Sequence, residues 1–168
     1  MDSQSLRALQ APLKNRYRED AEAALITLEA KGSIDAEGIA CKVDTARAMA
    51  VAGLHPATGG SGAELCSGDM LLEALVACAG VTLKAVATAL EIDLRRGDVH
   101  ATGTLHFRGT LGVDKEAPVG FRDINLTFDV ETDAPQEKLD QLLKLTERYC
   151  VVFQTLSNKP SLNVTLKR

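Results

Sequence analysis

The stretch Met70–Leu90, MLLEALVACAGVTLKAVATAL, decides how the rest of the chain is read. It is dominated by Ala, Leu and Val, residues that favour or tolerate a helix. Ser67 just before it suits a helix cap, and Asp69 suits the positive first turn. Its apolar character runs almost all round the helix. A membrane span would want about 20 residues with few or no charges. Glu73, Lys84 and Gly80 interrupt this one. The reading is therefore a central helix inside a protein core, covered on most sides.

The flanks agree with a soluble domain. The chain has 168 residues, 45% hydrophobic and 25% charged, which suffices for a core without staples. The formal net charge of −4 gives no electrostatic reason to expect nucleic acid or an anionic membrane surface as partner. The densest basic run, Lys14 to Arg18, is followed at once by Glu19 and Asp20 and reads as a solvated helix face. The N-terminal residues carry no apolar run of signal-peptide length, so a cytoplasmic location is expected.

Outward from the central helix, residues 1–20 read as a polar helix or arm, broken or started at Pro12. Alternation over Ala24–Ala30, a turn at Lys31-Gly32-Ser33 and an extended run through Ile39, Cys41 and Val43 predict a hairpin. Residues 45–52 offer a further strand. A glycine-rich loop fills 53–69. Beyond the helix, strands are predicted from Val99 to Phe107 and over Ile124–Val130, with a loop at 109–121 between them. Asp133 and Pro135 open a second helix, whose buried stripe is Leu139, Leu142, Leu143 and Thr146 and which leads to Cys150 and Phe153. Leu162, Val164 and Leu166 suggest a last strand. Grouped strands and helices define an α+β class, with an antiparallel-rich sheet and a long central cysteine-bearing helix. The expected organisation is a single domain over 21–168 behind the N-terminal arm.

Little else on the chain carries chemistry. The glycine-rich loop matches neither the dinucleotide nor the nucleotide-loop pattern. The histidines His55, His100 and His106 lack metal-ligand spacing, and no CxxC exists, so neither a metal nor a cofactor is expected. His55 in the loop is the one histidine kept as a possible site residue. Four cysteines remain: Cys41, Cys66, Cys78 and Cys150. Cys78 lies mid-helix among Ala77, Ala79 and Gly80, small neighbours that let another segment approach its sulfur. A core thiol packing as a small hydrophobe explains the helix equally well. Cys150 ends the second helix, near Arg148. A peroxide-oxidised thiol becomes a sulfenic acid, and a second thiol within reach condenses with it to a disulfide. Sequence separation alone does not show that the two meet.

These residues carry a resemblance. SGDMLLEALVACAGVTLKAVA resembles the central cysteine helix of the OsmC/Ohr family, and ERYCVVFQTL resembles its second-cysteine segment. GFRDINLTFDVETD is similar to the strand and turn between them, and the resemblance covers about residues 21–168. It implies an intertwined homodimer with active sites at the interface. It implies a peroxidatic Cys78 and a resolving Cys150 that reduce organic hydroperoxides with a dithiol or lipoyl-type reductant, without metal or flavin.

Three positions depart from the family pattern. The glutamate ten residues before the reactive cysteine is Gly68, with Asp69 the nearest carboxylate. The thiolate-supporting arginine has no clear counterpart, Arg16, Arg18, Arg47 and Arg148 being candidates. The usual proline after the second cysteine is Val151. Two functions follow as expectations: a hydroperoxide reductase in oxidative-stress defence, or a protein of the same fold that binds or senses with weak or no peroxidase activity. Cys66, just before the helix, reads as a loop residue without catalytic work or as a third redox thiol.

Overall fold

A computed structural model of the chain describes residues 2–19, 31–34, 40–44, 49–112 and 114–168. Its elements are α1 (Ser3–Glu19), β1 (Lys31–Ile34), β2 (Ala40–Asp44), β3 (Met49–Gly53), β4 (Leu65–Cys66), α2 (Ser67–Ala89), β5 (Arg96–Leu105), α3 (Phe107–Thr110), β6 (Phe121–Glu131), α4 (Gln136–Tyr149) and α5 (Val151–Ser157). A 3₁₀ turn spans Pro56–Thr58. The architecture is α+β. The chain divides into two compact units.

One unit comprises Met1–Arg7, Ala74–His100 and Phe128–Arg168. Its core is aliphatic, as the shortage of aromatics requires. From α2, the buried residues Leu75, Ala79, Leu83, Val86 and Ala87 recur at three- and four-residue steps, which places them on one helix face. Leu83, Val86 and Ala87 pack with Ile92 and with Leu142 of α4. Gly80 permits close packing on β5: a Cβ there would lie 3.4 Å from Val99. Asp133 pairs with Arg95 through two hydrogen bonds of 2.6 and 3.0 Å, closing the turn before α4.

The other unit comprises Ala8–Glu73 and Ala101–Thr127. Its sheet has the order β1-β2-β3-β4, with β1, β2 and β3 antiparallel and β4 parallel to β3. β5 and β6 form a separate two-stranded sheet. The Arg95 N–H meets the Glu131 carbonyl at one end, and the Thr104 hydroxyl meets the Asp123 carboxylate towards the other, so the two strands run in opposite directions. Inward and outward residues alternate along both, as a half-covered ribbon requires.

The structure corrects several expectations. Lys31-Gly32-Ser33 is not a turn: all three residues lie in β1 and pair with Lys42–Asp44. The alternating run at Ala24–Ala30 lies outside the described residues. α1 runs through Pro12 rather than breaking or starting there. Ser67 is the first residue of α2 rather than a cap preceding it. β5 ends at Leu105, and Phe107 opens α3. Leu143 is exposed, leaving Leu142 and Thr146 as the buried stripe of α4. Leu162, Val164 and Leu166 lie in an irregular, exposed tail and form no strand within the chain. α2 is covered on one face rather than on most sides. Val81 on its other side is 73% exposed, although the helix is long and apolar enough to cross a membrane on those two measures alone.

Candidate thiol site

The second helix does not run through Cys150. α4 ends at Tyr149 and α5 begins at Val151, because Cys150 takes an extended backbone (φ −71°, ψ 108°). The residue caps both helices. Its N–H donates to the Thr146 carbonyl at 2.9 Å, and its carbonyl accepts from the Gln154 N–H at 2.9 Å. The Gln154 side chain reaches back to the Glu147 carbonyl at 2.8 Å and braces the corner. The break leaves the first N–H groups of α5 without partners inside that helix.

Cys78 and Cys150 lie in the same compact unit. Both are free thiols, Cys78 half-buried and Cys150 1% exposed. Burial is the largest influence on Cys78 and pushes its pKa up. The Val152 N–H, the Cys150 thiol, the Val151 N–H and the Thr82 hydroxyl oppose it, and together they hold the thiol below its ordinary value. Each favours the thiolate because each presents a hydrogen to the sulfur. Thr82 lies one turn beyond Cys78 on α2 and in this arrangement donates to the Cys78 carbonyl at 2.8 Å. Turned to the sulfur instead, the same hydroxyl would donate to the thiolate.

Cys150 moves the other way. Its burial is the largest cause and raises its pKa. The Phe153 and Val152 N–H groups oppose this, while the neighbouring Cys78 sulfur raises it further. Deprotonating the second thiol beside a thiolate is disfavoured, so Cys78 is the one of the pair that ionises first. The arrangement is thus asymmetric: an accessible thiolate former beside a shielded thiol that keeps its proton.

Of the other sequence candidates, Arg148 is exposed at the last turn of α4, and no cation is among the leading influences on Cys78. Asp69 is exposed in the first turn of α2, in the unit that does not contain Cys78. Arg16 and Arg18 stand on α1, and Arg47 lies outside the described residues. Cys66 and His55 line a separate cavity. No cluster of metal-ligating side chains occurs among the described residues. Sequence reasoning missed Thr82, Val151 and Val152. Thr82 was findable, four residues after Cys78 and so on the same helix face. The two amides were not, because they act only once the chain breaks at Cys150.

The fold and this corner define a class: α+β proteins in which a central-helix cysteine meets a second thiol at a helix junction. The chain belongs to the OsmC-like protein family, which it matches over residues 60–165. No curated protein matches the chain in sequence. Solved structures share the fold. An OsmC-like protein from Mycoplasma pneumoniae superposes with a TM-score of 0.65 at 16% identity, covering 80% of this chain and 89% of that one. An organic hydroperoxide resistance protein OsmC from Legionella pneumophila gives 0.61 at 16% identity, covering 80% and 91%. The organic hydroperoxide resistance protein OhrB of Bacillus subtilis gives 0.52 at 18% identity, covering 80% and 93%.

Proposed function

We propose that this protein is a thiol peroxidase that reduces organic hydroperoxides in oxidative-stress defence. The observation that carries the proposal is the juxtaposition of the half-buried Cys78 thiol with the buried Cys150 thiol, in surroundings that favour ionisation of the first over the second. The Cys78 thiolate attacks the terminal peroxide oxygen. The O–O bond breaks, the alkoxide takes a proton and leaves as ROH, and Cys78 becomes a sulfenic acid. The Cys150 thiol then attacks that sulfur, water departs and a disulfide forms. A small dithiol or lipoyl-type reductant returns both thiols and leaves as its own disulfide. Burial suits Cys150 to this second role, since it is shielded from the oxidant while Cys78 is reached. Two relatives in fold carry names from organic hydroperoxide resistance, which supports the substrate class.

The working unit in this reading is a homodimer in the cytoplasm. Val81 on α2 and the tail residues Leu162, Val164 and Leu166 are exposed apolar groups that a second copy would cover. The test is peroxide consumption with cumene hydroperoxide and dihydrolipoamide. Wild type should turn over many equivalents, Cys78→Ser none, and Cys150→Ala one equivalent before stalling. Wild type no faster than Cys78→Ser sinks the enzyme reading.

A second reading, a sensing or binding protein with weak turnover, is favoured by Gly68 and by the lack of a cation among the leading influences on Cys78. It gives one round of Cys78–Cys150 disulfide formation with no sustained consumption.

A further inference from the structure

The second compact unit holds a cavity of about 330 Å³. That is within the range of small-molecule sites, roughly 300–1,000 Å³. Its apolar wall is built from Leu54, Leu105, Phe107, Val119 and Phe121, and among the described residues no Asp, Glu, Lys or Arg side chain lines it. A charged ligand would find no counter-charge there.

One polar group is set for a directed contact. His55 lines the cavity and stacks on Phe107, with ring centroids 5.0 Å apart and planes 20° from parallel. Its Nδ1 accepts the Ala57 N–H at 3.0 Å. A ring nitrogen that accepts carries no proton, so the neutral ring bears its hydrogen on Nε2. Among the described residues no acceptor meets that Nε2–H. The Thr58 hydroxyl spends its one hydrogen on the His55 carbonyl at 2.8 Å, so it offers the cavity no donor in this arrangement. The stack and the Ala57 bond therefore hold a flat aromatic wall whose Nε2–H is unspent, beside the smaller polar groups of Cys66, Ser67 and Thr110 on the same lining.

The cavity exists partly because residue 68 has no side chain. A Cβ at Gly68 would lie no closer than 3.5 Å to Leu105, Cys66 or Phe121, which is ordinary contact distance. Larger side chains fit the backbone here but consume the space.

We propose that this cavity is a binding site for a neutral aromatic molecule bearing one hydrogen-bond acceptor, a carbonyl or hydroxyl oxygen, which accepts from His55 Nε2. The site is additional to the thiol pair and does not depend on it.

The test uses acetophenone, ethylbenzene and benzoate as probes, with binding followed by calorimetry and by the His55 ring resonances. Acetophenone should bind saturably and shift the His55 signals. Ethylbenzene, which has no acceptor, should bind about tenfold more weakly, the loss expected for one hydrogen bond. Benzoate should bind more weakly than acetophenone, because the described lining residues offer no positive charge. His55→Phe keeps a stack on Phe107 and should bring acetophenone down to the ethylbenzene level. Gly68→Leu, which replaces a helix-weakening glycine and so should fold, should abolish binding of both. Cys78→Ser should bind all three as wild type does, and this separates the proposal from the peroxidase reading. Failure of wild type to bind either neutral probe, as when a second copy of the chain fills the cavity, overturns the proposal. Undiminished binding by Gly68→Leu overturns it too.

Discussion

The Cys150 thiol lies against the Cys78 sulfur, and the two ionisations are pushed in opposite directions: Cys78 down, Cys150 up. Two chemically identical groups are thereby given different work. The accessible one is ready to lose its proton, and the shielded one is held as a thiol. N–H groups at the start of α5 reach both sulfurs; what separates them is the deeper burial of Cys150 and the thiol–thiol contact, which lowers Cys78 and raises Cys150.

Native-state alkylation should follow from this directly. Iodoacetamide is expected to label Cys78 with a midpoint below the ordinary thiol value of about 8.5, while Cys150 stays unlabelled until the protein unfolds. Peptide mass spectrometry across a pH series reads both. Cys150→Ala should raise the Cys78 midpoint, because one hydrogen donor to the thiolate is lost.

Val151→Pro isolates a single amide. Val151 is the first residue of α5, a position that proline favours, and its side chain is 68% exposed. Cys150 already has the extended backbone that a following proline demands. The substitution removes the N–H and little else. The Cys78 midpoint should rise with the melting temperature nearly unchanged. An unmoved midpoint would show that this amide does not act on the sulfur.

Thr82→Val and Thr82→Ser form the matching pair on α2. The valine variant loses the hydroxyl while keeping the shape, and the Cys78 midpoint should rise. The serine variant should restore it. Arg148→Ala, by contrast, should leave the midpoint in place, because Arg148 is exposed and not among the leading influences on the thiol. A midpoint raised by Arg148→Ala would return the arginine to the site.

These contrasts show how much of the molecule was legible in the sequence. The periodicity of α2, the alternation in β6 and the start of α4 at Pro135 were readable because local pattern and tertiary burial agree there. The errors fell where tertiary context decides. Lys31-Gly32-Ser33 has turn chemistry, yet β2 recruits it as a strand. Leu162, Val164 and Leu166 alternate like a strand, yet no strand among the described residues pairs with them. The two cysteines were visible as residues. The corner at Cys150 was not, because TERYCVVFQTL contains neither glycine nor proline to mark a break.

Gly109→Ala probes the second unit. Gly109 is buried, and a Cβ there would lie 2.4 Å from the Pro118 carbonyl oxygen and 2.6 Å from that of Ala117. Backbone cannot move aside as a flexible side chain can. The substitution should cost on the order of 1–3 kcal/mol, as overpacking does, and lower the melting temperature. Gly112→Ala tests a different cause: nothing crowds that site, but its φ of +68° strains any side chain, so its smaller loss measures conformation alone.

The opposed thiol shifts also set the sign of a stability profile. In Cys78→Ser only Cys150 of the pair remains, and burial, its largest influence, still raises its folded pKa. Between the unfolded value of about 8.5 and that raised value, the unfolded chain has lost the proton and the folded chain keeps it. Stability must then fall as pH rises through this window, because the folded state binds more protons. In Cys150→Ala only Cys78 of the pair remains, held down by the Val152 and Val151 amides and the Thr82 hydroxyl against burial. If those donors still outweigh burial without Cys150, the folded chain loses the proton first, and stability should rise with pH up to the unfolded value. Urea titrations of the two variants between pH 7 and pH 10, with the common background of other groups subtracted by reference to the Cys78→Ser/Cys150→Ala double variant, should give residual slopes of opposite sign. Equal slopes would mean that the folded structure does not distinguish the two thiols.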